Sequence, residues 1–180
     1  MWYCTCQLKT QKNMPGTPLP DAEQLLKALT DQMRPEVGPD TGLIGIHTGG
    51  VWLAERLHRD LGLKVPLGTL DVSFYRDDYE KIGLHRDVKA SSIPFEVEGR
   101  HLILVDDVLY TGRTIRAAMN ELFDYGRPAS IRLAALIDRG GRELPVAAQF
   151  LGATVTVPPG HSIELKRDSA GRLSLVLHES

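Results

Sequence analysis

The chain is short of the features that would take it out of the ordinary globular class. Only two of its 180 residues are cysteines, Cys4 and Cys6, both near the N-terminus. No second cysteine cluster and no histidine stands at zinc-site spacing from them, so a structural zinc site is not expected. Scarce thiols fit a reducing cytoplasm. No apolar run approaches the roughly 20 residues that a membrane-spanning helix needs. Residues 1–16 lack the long apolar stretch of a secretory signal. Charge of neither sign dominates: 21 Lys and Arg against 23 Asp and Glu leave a formal net charge of −2. A global basic field of the kind that draws proteins to nucleic acid is therefore absent. Internal repeats and low-complexity segments are missing too. What remains is 42% apolar and 24% charged residues, enough for one core without disulfides or metals. The expected organisation is a disordered leader over 1–16, with Met14 an alternative start, and a single cytoplasmic domain over 17–180.

Along the chain, strand-like and helix-like segments alternate. Asp21 reads as an N-cap with Gln24 at the capping-box position, Leu25, Leu26, Leu29 and Met33 share a helical face, and Pro35 ends the helix. Leu43 to His47 reads as a strand, broken by Thr48-Gly49-Gly50. Val51, Leu53, Ala54 and Leu57 continue at helical spacing. Val65 to Phe74 reads as a second strand, interrupted at Gly68. Tyr75 to Ser92 is polar and aperiodic, which inside a compact domain marks a functional loop. His101 to Val105 is the clearest buried strand, with a helix expected from Thr114 to about Tyr125. Ser130 to Ile137 is a further strand, Asp138 to Arg142 a tight polar turn, and Phe150 to Leu177 a series of short strands. Such alternation predicts an α/β fold with a parallel sheet. Ligands in these sheets bind beyond the carboxyl ends of the strands, so the loops after Ile46, Phe74, Val105 and Ile137 matter most.

One segment carries the chemistry. Leu102 to Val105 are apolar, and Asp106 and Asp107 then emerge at the end of the expected strand. Val108-Leu109-Tyr110 lead into Thr111-Gly112-Arg113-Thr114, which opens a helix. Backbone N–H groups at a helix start make an anion site. Gly112 permits close approach, Thr111 and Thr114 add hydroxyls, and Arg113 adds charge. A phosphate fits there. Two nearby carboxylates would repel it unless they serve sugar hydroxyls or a metal, and Mg²⁺ commonly bridges carboxylates to phosphate oxygens. The segment therefore calls for a sugar phosphate. A lone Asp-Asp is usually a helix cap with a solvated neighbour, and a lone Thr-Gly-x-Thr usually a turn; their joining behind a buried strand makes the case.

The run Val105 to Thr114 resembles the binding motif for 5-phosphoribosyl-1-pyrophosphate (PRPP) of type I phosphoribosyltransferases. With Phe74-Tyr75-Arg76-Asp77-Asp78, Gly126-Arg127-Pro128-Ala129-Ser130-Ile131, Asp138-Arg139-Gly140 and Arg142-Glu143-Leu144-Pro145, it is similar to the PyrR family of pyrimidine operon regulators with uracil phosphoribosyltransferase activity. The resemblance runs from about Asp21 to at least Leu151. It implies the type I fold, a central mostly parallel sheet flanked by helices with a mobile hood loop. By the same resemblance, Asp106 and Asp107 hold the ribose hydroxyls and Mg²⁺, and Leu109, Tyr110 and Thr111 to Thr114 cradle the 5-phosphate. Thr48, Gly49 and Gly50 form the pyrophosphate loop. Arg76, in the hood, meets pyrophosphate, and Asp107 is a possible general base. Asp138 and Arg139 lie near the base. The implied partners are PRPP, uracil and UMP, in a homo-oligomer of two or more chains.

Two departures from the family pattern stand out: Gly49 where members commonly carry Arg, and Gly141 where regulatory members carry His. The first argues against vigorous catalysis and the second against RNA binding. The basic candidates for an RNA surface are Arg139, Arg142, Lys166 and Arg167. Three readings follow: an enzyme making UMP from uracil and PRPP, a UMP- or PRPP-sensing RNA-binding regulator of pyrimidine genes with weak catalysis, and a phosphoribosyltransferase for another base. His47 ends a strand beside the pyrophosphate loop and is a candidate ligand contact. His85 falls in the polar loop, while His58, His101, His161 and His178 read as structural or surface residues. Trp52 and Tyr110 read as packing residues rather than base-stacking ones.

Overall fold

A computed structural model of the chain describes residues 19–72 and 90–179. Cys4, Cys6, Met14, Arg76, His85 and nearly all of the expected hood segment lie outside those residues. Helix α1 spans Ala22–Met33, and its N-cap Asp21 accepts from the N–H groups of Glu23 and Gln24, as the capping signal predicts. Strand β1 (Gly42–Ile46) leads into α2 (Gly49–Leu61), which stops at Gly62 in the left-handed region. Strand β2 is only Gly68–Leu70, shorter than the expected run from Val65. Pro66 has no N–H to give a ladder, and the Val65 carbonyl is bonded to the His58 ring at 2.7 Å.

Strand β3 (His101–Leu109) and α3 (Arg113–Asp124) follow, then β4 (Ser130–Asp138) and β5 (Phe150–Thr154). These strands form one parallel sheet in the order β2-β1-β3-β4-β5. Strands β6 (His161–Arg167) and β7 (Leu173–Glu179) make a separate antiparallel hairpin.

Alternation along β3 divides the core. Ile103 and Val105 face a cluster with Leu26, Leu29, Leu53 and Leu57 of α1 and α2, and with Ile163 and Leu165 of the hairpin. Leu102 and Leu104 face a second cluster with Ile115, Ala118 and Leu122 of α3. Helices thus cover both faces, as a parallel sheet requires. Glu23 ties the first layer together. Its carboxylate accepts from Arg56 of α2 at 2.9 and 3.3 Å and from the Leu173 N–H of the hairpin at 2.9 Å.

No described helix is long and apolar enough to cross a membrane.

Candidate active site

The strand order sets the location. The chain passes from β1 to β2 on one side of the sheet and from β3 to β4 and β5 on the other. The order therefore reverses between β1 and β3, and such a switch point opens a crevice at the carboxyl ends. On the β1 side stand Thr48, Gly49 and Gly50, and on the β3 side Asp106 and Asp107.

The structure corrects one expectation here. The two aspartates do not follow β3; they lie inside it, and the strand runs on to Leu109. Pairing with β1 ends at Val105, opposite Gly45, while pairing with β4 continues to Leu109 opposite Asp138. Among the described strands, β3 from Asp106 onward is therefore paired with β4 only. Strand alternation also breaks there. Val105 and Val108, three residues apart, belong to the same layer, and the ladder pairs Asp106 and Val108 but skips Asp107. The Asp107 N–H instead donates to Asp106 Oδ1 at 3.0 Å. Both side chains are buried, Asp106 at 6% and Asp107 at 8% exposure. Among the described residues nothing donates to the Asp107 carboxylate. Its oxygens are not among the fully enclosed side-chain atoms that lack a partner, so water reaches them and a ligand can.

The α2 entrance fits closely against this pair. A Cβ at Gly50 would collide with the Val105 carbonyl and stand 3.1 Å from Asp106 Cα. A Cβ at Gly49 would stand 2.6 Å from Asp107 Cγ. Thr48, the N-cap, makes no side-chain bond to the helix, and the His47–Thr48 peptide is cis. His47 is half-buried, and its backbone N–H donates to Leu70 at 2.9 Å.

Helix α3 also opens without a side-chain cap, from Gly112 at φ 94°. A residue with a Cβ is strained at that angle. The Thr111 hydroxyl accepts from the Arg113 N–H at 3.2 Å. So α1 has its first turn capped by Asp21, whereas Thr48 and Gly112, the N-cap residues of α2 and α3, give no side-chain cap, and in α3 the Thr111 hydroxyl takes only the Arg113 N–H. The N–H groups at these two helix starts and the helix dipoles suit anions.

The remaining expected residues sit as follows. The Leu109 side chain is in the core, and its carbonyl accepts from the Arg139 N–H at 3.1 Å. Thr114 is half-buried in the first turn of α3. Arg113 is exposed and pairs with Glu143 at 2.7 Å. Asp138 ends β4; its carboxylate accepts from the Gly140 N–H at 2.9 Å and from Arg142 at 2.6 Å. Arg139 lies over the Tyr110 ring, 4.1 Å from its centroid, and donates to the His161 carbonyl at 3.0 Å. Tyr110 carries Arg139 on its ring yet stays 39% exposed, whereas Trp52 packs partly against the first layer, under Arg167 at 4.8 Å.

Sequence reasoning missed Glu143 and the internal role of Arg142. Arg142 pairs with Asp138 only four residues back, but its other partner, Tyr110, and Glu143's partner, Arg113, are about 30 residues away and meet them through the pairing of β3 with β4.

Two further clefts lie elsewhere. One, about 370 Å³, runs between α2 and the hairpin beside Arg56, Arg59 and Arg167, which already pair with Glu23, Asp60 and Glu55. The other, about 540 Å³, lies at the amino ends of β1, β3 and β4.

The phosphoribosyl transferase domain model matches residues 19–156. Bifunctional protein PyrR of Pseudomonas aeruginosa is 51% identical over 152 residues, covering 82% of this chain and 89% of that protein. The chain belongs to the PyrR family of phosphoribosyltransferases. Bifunctional protein PyrR of Nitrosococcus oceani is 52% identical over 143 residues, 78% of this chain and 81% of that one. A hypoxanthine-guanine phosphoribosyltransferase from Bacillus anthracis has the same fold, with a TM-score of 0.61 at 21% identity over 81% of this chain and 85% of that one. The expected type I fold is therefore the observed one, and this PyrR-type chain is a pentosyl-transferring enzyme.

Proposed function

We propose that the protein converts uracil and PRPP to UMP and pyrophosphate at the crevice between β1 and β3. The observation that carries this reading is the buried Asp106–Asp107 pair set between two helix entrances whose N-cap residues give no side-chain cap. Paired carboxylates accept from a ribose diol, which lowers the cost of their burial. N–H groups of the Thr111–Thr114 segment bind the 5-phosphate, and those of Thr48 to Gly50 bind pyrophosphate. The base comes to the turn from Asp138 to Gly141. Its side chains are bonded within the protein, so the backbone reads the base edge.

Mg²⁺ fits the donor set. It favours one or two carboxylates completed by ligand oxygens and water, and Asp106 and Asp107 supply that number. Bound there with PRPP, the ion would neutralise charge on the leaving pyrophosphate.

Displacement at the anomeric carbon passes through an oxocarbenium-like state. It depends on alignment and on stabilising the leaving group more than on a strong nucleophile. The protein's share is to hold diol and phosphate at fixed positions while the base approaches. In this reading Asp107, whose carboxylate lies against Gly49, would serve the ribose and act as a general base toward the base, and Arg76 would add charge at pyrophosphate. The test is pyrophosphate release from PRPP and Mg²⁺ with a panel of free bases. Uracil should give product. Product from hypoxanthine or guanine without any from uracil would reassign the base.

The relatives' name, Bifunctional protein PyrR, favours a second reading in which the chain also regulates through RNA. Against it stands the use of the basic candidates. Arg139 and Arg142 are bonded inside the protein, and Arg167 is paired with Glu55.

A further inference from the structure

The turn after β4 contains two successive glycines in the left-handed region, Gly140 at φ 74° and Gly141 at φ 69°. Glycine carries the largest backbone entropy of any residue, so nothing intrinsic holds this turn in one shape. Arg139 anchors its start, through its N–H to the Leu109 carbonyl and its guanidinium to the His161 carbonyl, and Arg142 closes its far end. One Arg142 guanidinium nitrogen donates to Asp138 Oδ2 at 2.6 Å, closing the turn from end to end. The other donates to the Tyr110 carbonyl, in the segment leading to the phosphate loop. Arg142 and Asp138 are each only 22% exposed. The second carboxylate oxygen of Asp138 is bonded to the Gly140 N–H at 2.9 Å.

The phosphate loop has other ties to the same segment. The Thr111 carbonyl accepts from the N–H groups of Glu143 and Leu144 at 3.0 and 3.1 Å. Arg113 pairs with Glu143. These contacts do not involve Arg142, so the loop keeps its shape without it. The Gly140–Gly141 turn keeps the Asp138–Gly140 bond and the Arg139 contacts, but Arg142 is the side chain that closes it across both glycines to the Tyr110 carbonyl.

We propose that Arg142 is a positioning residue for base recognition: by joining the Asp138 carboxylate to the Tyr110 carbonyl it fixes the glycine turn against the phosphate loop, so that the turn's backbone groups meet a base whose ribose phosphate is already seated. This rests on the proposed placement of phosphate and base. A planar guanidinium can span two acceptors at fixed geometry; an ammonium is a point donor and a methionine none. The site's preference for nucleotide over sugar phosphate is therefore the quantity Arg142 controls.

The experiment compares two ligands by calorimetry on the full chain. Ribose 5-phosphate reports the phosphate loop and the aspartates. UMP reports the same groups plus the base turn. In Arg142→Met the affinity for ribose 5-phosphate should stay within about twofold, while the preference for UMP over ribose 5-phosphate should fall about tenfold or more, the loss expected from a charge-assisted bond. Arg142→Lys should recover part of that preference. Asp138→Asn, which keeps an acceptor for Gly140 but removes the charge opposite Arg142, should shift it in the same direction. An unchanged preference in both Arg142→Met and Asp138→Asn overturns the proposal. So does equal loss of both ligands in the two variants, which would mean that Arg142 holds the fold rather than the turn. If the wild-type protein uses another base, its monophosphate replaces UMP; the uracil reading then fails while the Arg142 test still stands.

Discussion

Gly49 and Asp107 occupy one space. A Cβ on residue 49 would stand 2.6 Å from Asp107 Cγ and 2.9 Å from its Cβ. The missing side chain at the pyrophosphate loop and the position of the buried carboxylate on β3 are therefore one arrangement. A chain with Arg at this position has to hold Asp107 elsewhere. Read from sequence, Gly49 is a lost guanidinium; in the structure it is also what lets Asp107 lean towards α2.

Substitution Gly49→Ala should displace the Asp107 carboxylate. Overpacking of this kind costs about 1–3 kcal/mol, divided between stability and ligand binding. PRPP affinity should fall severalfold, with the protein still folded by circular dichroism. PRPP affinity equal to wild type would show that residue 49 and Asp107 are independent.

Glu23 provides a pH test. The Arg56 guanidinium, bonded to its carboxylate, is the main cause that holds Glu23 below the ordinary carboxylate range, helped by the Leu173 N–H. A lowered folded-state value means that the stabilisation is complete above the ordinary glutamate range and is lost as pH falls through the lowered value. The pair is about one-third exposed, at 29% and 34%, so solvent screening limits it to about 1 kcal/mol or less. Urea unfolding should show Glu23→Gln less stable than wild type at pH 7, with the gap narrowing as the solution is acidified below the usual glutamate range. A gap that stays constant down to acid pH would assign the effect to packing.

RNA binding should be weak. Affinity for RNA rests largely on phosphate neutralisation, and specificity on exposed bases. Of the four basic candidates, Arg139 and Arg142 are engaged in the base turn, Arg167 is held by Glu55 and Trp52, and Lys166 lies 3.5 Å from Glu164. Anisotropy titration with a pyrimidine-leader hairpin and a scrambled control should give no tight binding at physiological salt, with or without UMP. Nanomolar, UMP-stimulated and sequence-selective binding would establish the regulator.

Much of this architecture was legible in the sequence because local signals agreed with the global fold. Asp21 capped α1, Gly49 and Gly50 broke β1 from α2, and Leu102 to Val105 marked the central strand. The extent of β3 was not legible. Two adjacent aspartates resemble a strand end, and only the continued pairing with β4 keeps Asp106 and Asp107 inside it. The role of Arg142 was hidden for a similar reason. An arginine after two glycines reads as surface until the turn folds it back on Asp138 and the β3–β4 register brings the Tyr110 carbonyl within its reach. Gly141 likewise reads as a missing histidine, whereas the Tyr110 ring fills the space its side chain would need.

The central claim is that the Asp106–Asp107 pair holds a ribose diol. The most direct measurement is a calorimetric titration of PRPP with Mg²⁺, and separately of UMP without it, into wild type and Asp107→Asn. Removing one charged acceptor should weaken both ligands by about 1.5–3 kcal/mol, roughly ten- to a hundredfold, in a variant that unfolds as cooperatively as wild type. Unchanged affinity for both ligands in a folded Asp107→Asn protein would contradict the account and reduce the pair to a structural feature of β3.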